Sequence, residues 1–134
     1  MKKILYFDMD NVLVDFPSAF PQLGRSVLQE YEGRLDEVPG IFGLMRPMAG
    51  AIEAFDMLAS DFDAYILSTS PWANPSAWSD KLLWVQRHLG QSAYKRLILS
   101  HHKNLNMGDF LVDDRTKNGA GNFHGDVQVE TDFV

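Results

Sequence analysis

The sequence predicts an α/β domain built on a largely parallel β-sheet. Short apolar runs, the pattern of buried strands, alternate along the chain with longer segments whose apolar residues recur at helical spacing. Parallel neighbouring strands need crossover connections, and the intervening helices supply them. The 134 residues amount to one ordinary domain, and 46% of them are hydrophobic, which is enough for a buried core. We therefore expect a single domain over residues 1–134.

The first half of the chain predicts two strands with two helices between them. Residues 3–7 form a short apolar run bounded by charge, as in a buried strand. Apolar residues at helical spacing predict a helix over 18–31, which Gly33 would end, and a second helix over about 49–60. The apolar run 64–67 predicts the second strand.

The second half predicts one helix and three strands. After a loop marked by Pro71, a helical stripe runs from Trp78 to Leu89 and is closed by Gly90. The predicted strands are 97–99, 110–112 and 127–129. The segment 17–46, between strand one and the helix that leads to strand two, is the candidate insertion in this pattern.

The composition excludes several classes of protein. Lys and Arg number 12 against 18 Asp and Glu, and the formal charge of -6 disfavours binding to the negatively charged nucleic-acid backbone. No apolar segment approaches the roughly 18 residues that a membrane span needs. Without cysteine the chain has no disulfide, thiolate zinc site or Cys nucleophile. The sequence thus predicts a cytoplasmic protein with neither nucleic acid nor membrane as a partner.

Polar residues follow the first four predicted strands. They are Asp8-Met9-Asp10-Asn11, Ser68-Thr69-Ser70, Ser100-His101-His102-Lys103 and Asp113-Asp114-Arg115. The carboxyl ends of strands in an open α/β sheet lie at one edge, where ligands bind. Four carboxylates meeting there would repel one another unless protons or a cation neutralised them. Mg²⁺, a hard cation that takes carboxylate and phosphate oxygens, fits this set.

Asp8 and Asp10 are two residues apart, which permits two distinct chemical roles. On an extended chain their side chains share a face, while in a tight turn the backbone carbonyl of Asp10 could also reach a metal ion. One carboxylate would attack the substrate, and the other would donate or accept the proton. The spacing leaves open which does which, and residues of these types also occur as ordinary turn, helix-cap and solvent-exposed residues.

Four motifs in this order resemble those of the haloacid dehalogenase (HAD) superfamily of phosphotransferases. They are Asp8-Met9-Asp10, Thr69, Lys103 and Asp113-Asp114. The longer runs Asp8 to Phe16, Thr69-Ser70-Pro71, Lys81 followed by Trp84-Val85, and Leu111 to Arg115 resemble the 5'(3')-deoxyribonucleotidase family within it. The resemblance implies a Rossmann-like (HAD-like) three-layer fold with a central, mostly parallel sheet. It also implies a small, shortened helical cap formed by residues 17–46.

The resemblance also implies roles for individual residues. Asp8 would attack the phosphorus of a phosphomonoester and form an aspartyl-phosphate, while Asp10 would protonate the leaving oxygen and then activate water. The phosphate-binding residues would be Thr69, Ser70 and Lys103, with Lys81 and Arg115 as additional ones. The Mg²⁺ ligands would be Asp8, the backbone carbonyl of Asp10, and one or both of Asp113 and Asp114.

The nucleobase would lie against aromatic side chains. Phe16 matches the position of an aromatic residue that lines the family's base pocket, and Phe42 and Trp72 are two further candidates. The expected activity is therefore Mg²⁺-dependent dephosphorylation of (deoxy)ribonucleoside 5'-monophosphates. Two alternatives stay open at this point: a phosphatase for another small phosphomonoester such as a sugar phosphate, and a non-catalytic nucleotide-binding or regulatory protein. A homodimer is one of the assemblies that the sequence allows.

Overall fold

A computed structural model describes residues 1–129 and contains a five-stranded parallel sheet. The strands of the protein are β1 (Ile4–Phe7), β2 (Val14–Asp15), β3 (Arg46–Pro47), β4 (Asp63–Ser68), β5 (Leu97–Leu99), β6 (Phe110–Asp113) and β7 (Asp126–Val129). Their order across the large sheet is β5-β4-β1-β6-β7, and β2 and β3 form a separate antiparallel pair. The predicted domain end at residue 134 lies outside the described residues.

Three α-helices and several 3-10 segments connect the strands. The α-helices are α1 (Arg25–Glu30), α2 (Ala51–Asp61) and α3 (Pro75–His88). The 3-10 segments are Phe16–Gln22, Leu35–Glu37, Ile41–Gly43, Gly90–Ala93, Lys103–Leu105 and Ala120–Asn122. In the part of the chain that the structure describes, no helix is long and apolar enough to cross a membrane.

The predicted sheet is confirmed, and each of its strands lies within one residue of the predicted bounds. The predicted single helix over 18–31 is wrong, because the structure divides this stretch into a 3-10 segment and the short helix α1. Pro21 has no backbone N–H to donate, and the following Leu23 is extended, with φ −101° and ψ 146°. Gly24 then serves as the N-cap of a new helix.

The two faces of the sheet are covered differently. Leu5, Phe7 and Ile66 belong to the larger core cluster, together with Phe55 of α2 and Trp84 of α3. The crossovers from β1 to β4 and from β4 to β5 run in the same direction, so their right-handed connections place both helices on this face. A smaller cluster covers the opposite face and consists of Tyr6, Leu67, Leu111, Ala120 and Phe123. The layer on that face is therefore built from short segments.

The strand order places a switch point beside β1. The chain leaves β1 and forms β4 on one side, whereas β6 pairs with β1 on the other side. Phe7 at the end of β1 is in register with Ile66 of β4 and Val112 of β6. Ligands of open α/β sheets bind at such points, outside the carboxyl ends of the strands. The residues that follow β1, β4 and β6 therefore surround one place.

The segment 17–46, called the cap segment below, packs against α3 and the loop that precedes it. The indole nitrogen of Trp84 donates to the carbonyl of Met45 at 3.0 Å. The side-chain amide of Asn74 donates to the carbonyls of Asp36 (2.9 Å) and Val38 (3.0 Å). These bonds hold the segment over the carboxyl edge of the sheet. That residues 17–46 form a separate cap with these boundaries stays a prediction.

Candidate active site

A tight turn after β1 holds the first two carboxylates at the sheet edge. The carbonyl of Met9 accepts hydrogen bonds from the amides of Leu13 (2.9 Å) and Val14 (2.8 Å). Asn11 adopts φ +62°, a left-handed conformation that Asn tolerates better than most residues. The amide of Asp8 donates to the carbonyl of Val112 at 2.8 Å, which ties the start of the turn to β6. Asp8 is thereby fixed beside the residues that follow β6.

Asp8, Asp113 and Asp114 form a carboxylate cluster. One oxygen from each of the three lies within 4.8 Å of the others, and Asp8 and Asp113 are buried. Both oxygens of Asp113 accept hydrogen bonds, from Lys103 Nζ at 2.6 Å and from the amide of Arg115 at 3.1 Å. Asp114 Oδ1, in contrast, is buried without a hydrogen-bond partner in the described chain. The donor set is all oxygen and includes an unsatisfied atom, so these residues fit a hard cation such as Mg²⁺.

Lys103 lies between two of these carboxylates. It begins the 3-10 segment after β5, is 3% exposed, and places Nζ 3.0 Å from Asp8 Oδ1 and 2.6 Å from Asp113 Oδ2. Burial alone would lower the pKa of Lys103, but the two carboxylates outweigh burial and raise the pKa above its ordinary value. Lys103 is therefore a fixed positive charge at the centre of the site.

Lys81 reaches the same site from α3. Its side chain has no exposed surface, and its ammonium group donates to Ser68 Oγ and to the carbonyl of Thr69, both at 2.7 Å. The same group lies 3.3 Å from Asp10 Oδ2 and 4.7 Å from the ring centre of Phe42. Asp10 Oδ1 is buried without a hydrogen-bond partner in the described chain. Lys81 thus anchors one oxygen of Asp10 and leaves the other available.

The site holds more negative charge than its two lysines neutralise. Burial raises the pKa of Asp8 well above its ordinary value, and Asp113 and Asp10 add to this rise while Lys103 and Lys81 oppose it. Burial also raises the pKa of Asp114. Four carboxylates face two buried ammonium groups and the guanidinium of Arg115, whose Nε lies 3.8 Å from Asp114 Oδ1, and a divalent cation would offset the negative charge that remains.

A cavity of about 710 Å³ opens beside the carboxylates. Among its lining residues are Asp10, Asn11, Phe16, Thr69, Trp72, Asp114 and Arg115. Leu35, Asp36 and Glu37 of the cap segment line it as well. The cavity therefore joins the carboxylate cluster to an aromatic wall and to the cap segment.

The structure brings most of the predicted site residues to this place but not all to the cavity surface. Thr69 lines the cavity and donates its hydroxyl to the carbonyl of Ser100 at 2.7 Å. Ser70 is fully buried, and its hydroxyl has no hydrogen-bond partner in the described chain. Trp72 is 83% exposed, whereas Phe42 is buried behind Phe16, with 5.8 Å between their ring centres. Lys81 and Phe42 thus lie behind the cavity wall.

Three residues of the site, Ser68, His101 and Asn118, have no individual role in the sequence prediction. Ser68 and His101 stand among the polar residues after the predicted strands, but only the structure shows that Ser68 Oγ, at the end of β4, accepts a hydrogen bond from Lys81. Asn118 and His101 line the cavity from two different loops. Asn118 has φ +56°, and a left-handed Asn directly before Gly119 is a turn signal that could have drawn attention to it.

Known proteins resemble the chain in both sequence and fold. The family model described as "5' nucleotidase, deoxy (Pyrimidine), cytosolic type C protein" matches residues 30–127. A protein of Vibrio phage KVP40 named as a 5'(3')-deoxyribonucleotidase is 63% identical over 93% of this chain and 74% of its own length. The human "5'(3')-deoxyribonucleotidase, cytosolic type" is 28% identical over 81% of this chain and 68% of its own length.

A solved structure supports the fold independently. The crystal structure of a haloacid dehalogenase-like family hydrolase from Xanthomonas campestris superposes with a TM-score of 0.60. The superposition covers 99% of this chain and 86% of the other, at 9% sequence identity. At that identity the likeness shows the fold alone, and it confirms the HAD-like architecture.

Proposed function

This chain belongs to the 5'(3')-deoxyribonucleotidase family, and from that membership we propose how its site removes phosphate from nucleoside monophosphates. Members of this family are phosphoric monoester hydrolases, and this chain is an enzyme of that class. One observation carries the proposal: the carboxylates of Asp8, Asp10, Asp113 and Asp114 converge with two buried lysines beside a single cavity. The cavity volume of about 710 Å³ lies in the range of small-molecule sites.

Asp8 is the proposed nucleophile and Asp10 the proposed acid and base. A carboxylate oxygen of Asp8 forms a bond to phosphorus while the bond from phosphorus to the ester oxygen breaks, which leaves an aspartyl-phosphate. Asp10 gives its proton to the departing ester oxygen. It then takes a proton from the water that attacks phosphorus and releases phosphate, restoring Asp8. This assignment is supported by Asp10 lining the cavity and having one oxygen without a hydrogen-bond partner, while Lys81 holds the other.

Cationic and hydroxyl groups would hold the transferring phosphoryl group. The proposed residues are Thr69, Ser70, Lys81, Lys103 and Arg115. Phosphoryl transfer depends mainly on positioning and on fixed positive charge, because the charge is spread over the three non-bridging oxygens. Thr69 and Arg115 line the cavity, and Lys103 pairs with the proposed nucleophile at 3.0 Å. Lys81 acts from behind Asp10.

Mg²⁺ is the proposed cofactor, held by Asp8, the backbone carbonyl of Asp10, and the Asp113-Asp114 pair. Asp114 is the better placed of that pair, because both oxygens of Asp113 accept hydrogen bonds, whereas Asp114 accepts one at Oδ2 from Asn11 (3.4 Å) and none at Oδ1 from the described chain. When bound, the ion would neutralise charge on the phosphate and on the carboxylates. Phe16 and Trp72, which line the cavity, would contact the nucleobase, and Phe42 would support Phe16 from behind.

The test is phosphate release from purified protein, with and without Mg²⁺. The substrates are deoxyribo- and ribonucleoside 5'- and 3'-monophosphates, and a set of sugar phosphates serves as the comparison. We expect turnover of nucleotides that requires Mg²⁺, and a loss of at least about a thousandfold in Asp8→Asn.

Asp56→Asn, which changes an exposed carboxylate on α2, is the matched control and should retain full activity. Phosphate release by Asp8→Asn at the wild-type rate would refute the assignment of the nucleophile. Equal turnover of sugar phosphates and nucleotides would refute the nucleotide substrate class.

A further inference from the structure

We propose that Gly119 is a positioning residue that sets the place of Lys103 in the active site. The inference rests on the proposed function, in which Lys103 holds the phosphoryl group. Gly119 lies in the loop between β6 and β7, five residues after Asp114. This loop therefore begins with the acidic pair of the site and then turns back against the lysine that faces that pair.

The contact between the two loops is made through the backbone. Asn118 and Gly119 both have left-handed conformations, with φ +56° and +85°. This double turn directs the carbonyl of Asn118 toward Lys103, whose amide donates to it at 2.8 Å. The hydrogen bond fixes the first residue of the 3-10 segment Lys103–Leu105.

Only glycine fits at position 119. A Cβ atom there would lie 2.9 Å from the backbone nitrogen of Lys103 and 3.0 Å from that of Asn104, and would also meet the side-chain oxygen of Asn104. The side-chain oxygen of Asn104 can rotate away from such a Cβ atom. The backbone nitrogens of Lys103 and Asn104 cannot, because they move only if the whole peptide segment shifts. The left-handed conformation disfavours any residue with a Cβ for a second reason.

A shift of that backbone would be transmitted to the ammonium group of Lys103. Nζ is held between Asp8 and Asp113 at 3.0 and 2.6 Å, and the side chain is almost completely buried. Displacement of this kind would open a gap between Lys103 and the proposed nucleophile. Misplacement of a catalytic group by about 1 Å can reduce the rate about a hundredfold.

The experiment compares Gly119→Ala with Gly90→Ala. Gly90 also has positive φ, at +57°, but a Cβ there would meet nothing within 4 Å, so this control carries a conformational cost of the same kind without the clash. Gly119→Asn keeps the Cβ contact in a residue type that tolerates positive φ, and it replaces the alanine variant if that variant does not fold.

Two readouts are used. The first is acylation of Lys103 by an amine-reactive reagent, measured by peptide mass spectrometry with the exposed Lys3, which lies outside this loop, as the internal reference. We expect Lys103 to react at least about tenfold faster in the Gly119 variants than in the wild type or in Gly90→Ala. The second is turnover of the nucleotide substrate, where kcat/KM should fall about 10- to 100-fold in the Gly119 variants alone.

The labelling does not depend on activity, so it separates this proposal from the proposed function. Unchanged reactivity of Lys103 in a folded Gly119 variant would overturn the positioning role, whatever the kinetics show. Faster labelling with unchanged kcat/KM would overturn the link between the placement of Lys103 and catalysis. A loss of the same size in Gly90→Ala would assign the effect to backbone strain and would also overturn the proposal.

Discussion

Lys81 connects four parts of the molecule through one ammonium group. It is carried by α3, bonds to the end of β4 through Ser68 and Thr69, pairs with Asp10 of the turn after β1, and lies against Phe42 of the cap segment. A charge without any solvent contact is costly unless it is paired and fully hydrogen-bonded. These partners supply that compensation, so the lysine is part of the fold as well as of the site.

Replacing Lys81 with Met should therefore reduce both stability and activity. The methyl thioether leaves Ser68 and the carbonyl of Thr69 without their donor, and the free energy of unfolding should fall by on the order of 3 kcal/mol. Asp10 would lose its anchor, and kcat should fall about a hundredfold because the proton transfers are no longer well oriented. Urea unfolding and steady-state kinetics measure the two effects.

Arg87→Met on the same helix is the control, because Arg87 is exposed and its loss should change stability by less than about 0.5 kcal/mol. The kinetic constants also separate two roles of Lys81. A rise in KM with unchanged kcat in Lys81→Met would mean that Lys81 serves only to bind the phosphate and does not orient Asp10.

The sequence predicts that the carboxylates of the site lie together, but it does not predict which lysine pairs with which carboxylate. Asp8 and Asp113 directly follow the predicted strands 3–7 and 110–112, and strand ends meet at one edge of a parallel sheet. The pairing of Lys103 with Asp8 and of Lys81 with Asp10 depends on how a loop and a helix are oriented above that edge. No local pattern encodes that orientation, since it is set by tertiary packing.

The same dependence on tertiary packing explains why the strands agree with the sequence prediction and the helix over 18–31 does not. The strands of the sheet are short apolar runs whose ends are marked by charge or turn residues, so their bounds were accurate. The stretch 18–31 has helical spacing of apolar residues, but those residues face the core from a 3-10 segment and a short helix joined at Leu23 and Gly24. Burial of the apolar side chains is common to both arrangements, so the spacing did not distinguish them.

Helix α3 ends at a histidine whose protonation opposes folding. The ring of His88 lies 4.5 Å from that of Trp84, measured between centres. Burial, and then the charge of Arg87, lowers the pKa of His88 below its ordinary value of 6.5. The unfolded chain therefore takes up this proton at a higher pH than the folded protein does. Above the pKa of the unfolded state, His88 is neutral in both states and does not affect stability. The free energy of unfolding decreases as the pH falls from that pKa through the lower pKa of the folded state.

His88→Gln should reduce the dependence of stability on pH. The variant cannot take up the proton in either state, so the unfolding free energy at about pH 5, relative to that at about pH 7, should be higher in the variant than in the wild type. Chemical denaturation across this range measures the slope. His124→Gln, which changes an exposed histidine, should keep the wild-type slope. An unchanged slope in His88→Gln would show that the environment of His88 does not disfavour its charged form.

At the scale of the whole molecule, the different cover on the two faces of the sheet is related to the location of the site. Helices α2 and α3 form one thick layer, and α3 both carries Lys81 and supports the cap segment. The opposite face is covered in part by Ala120 and Phe123 of the connection after β6, and the segments that follow β5 and β6 carry Lys103 and Asp114. The residues of the site thus come from both layers, and they meet at the edge of the sheet that lies between those layers.

Charge is the other property of the whole molecule that depends on this site. The formal charge is -6, and four of the contributing carboxylates lie in the site: the three of the carboxylate cluster and Asp10. Their mutual repulsion opposes folding, and the two lysines offset only part of it. An ion that binds the folded protein and not the unfolded chain adds to stability by mass action. The cluster should therefore make the stability of the whole molecule depend on divalent cations.

Mg²⁺ should stabilise the wild type, and the effect should depend on Asp114. With the free ion at a hundred times its Kd, the free energy of unfolding should increase by about 2.7 kcal/mol relative to protein treated with a chelator. In Asp114→Asn the increase should be largely lost, because the variant removes the charge and weakens the ligand set, while Asp56→Asn should keep it. Thermal and urea unfolding at constant ionic strength measure the change, with Na⁺ added to the Mg²⁺-free samples. Equal stabilisation of Asp114→Asn and the wild type would place the ion elsewhere on the protein, and no stabilisation of the wild type would refute the carboxylate cluster as a metal site.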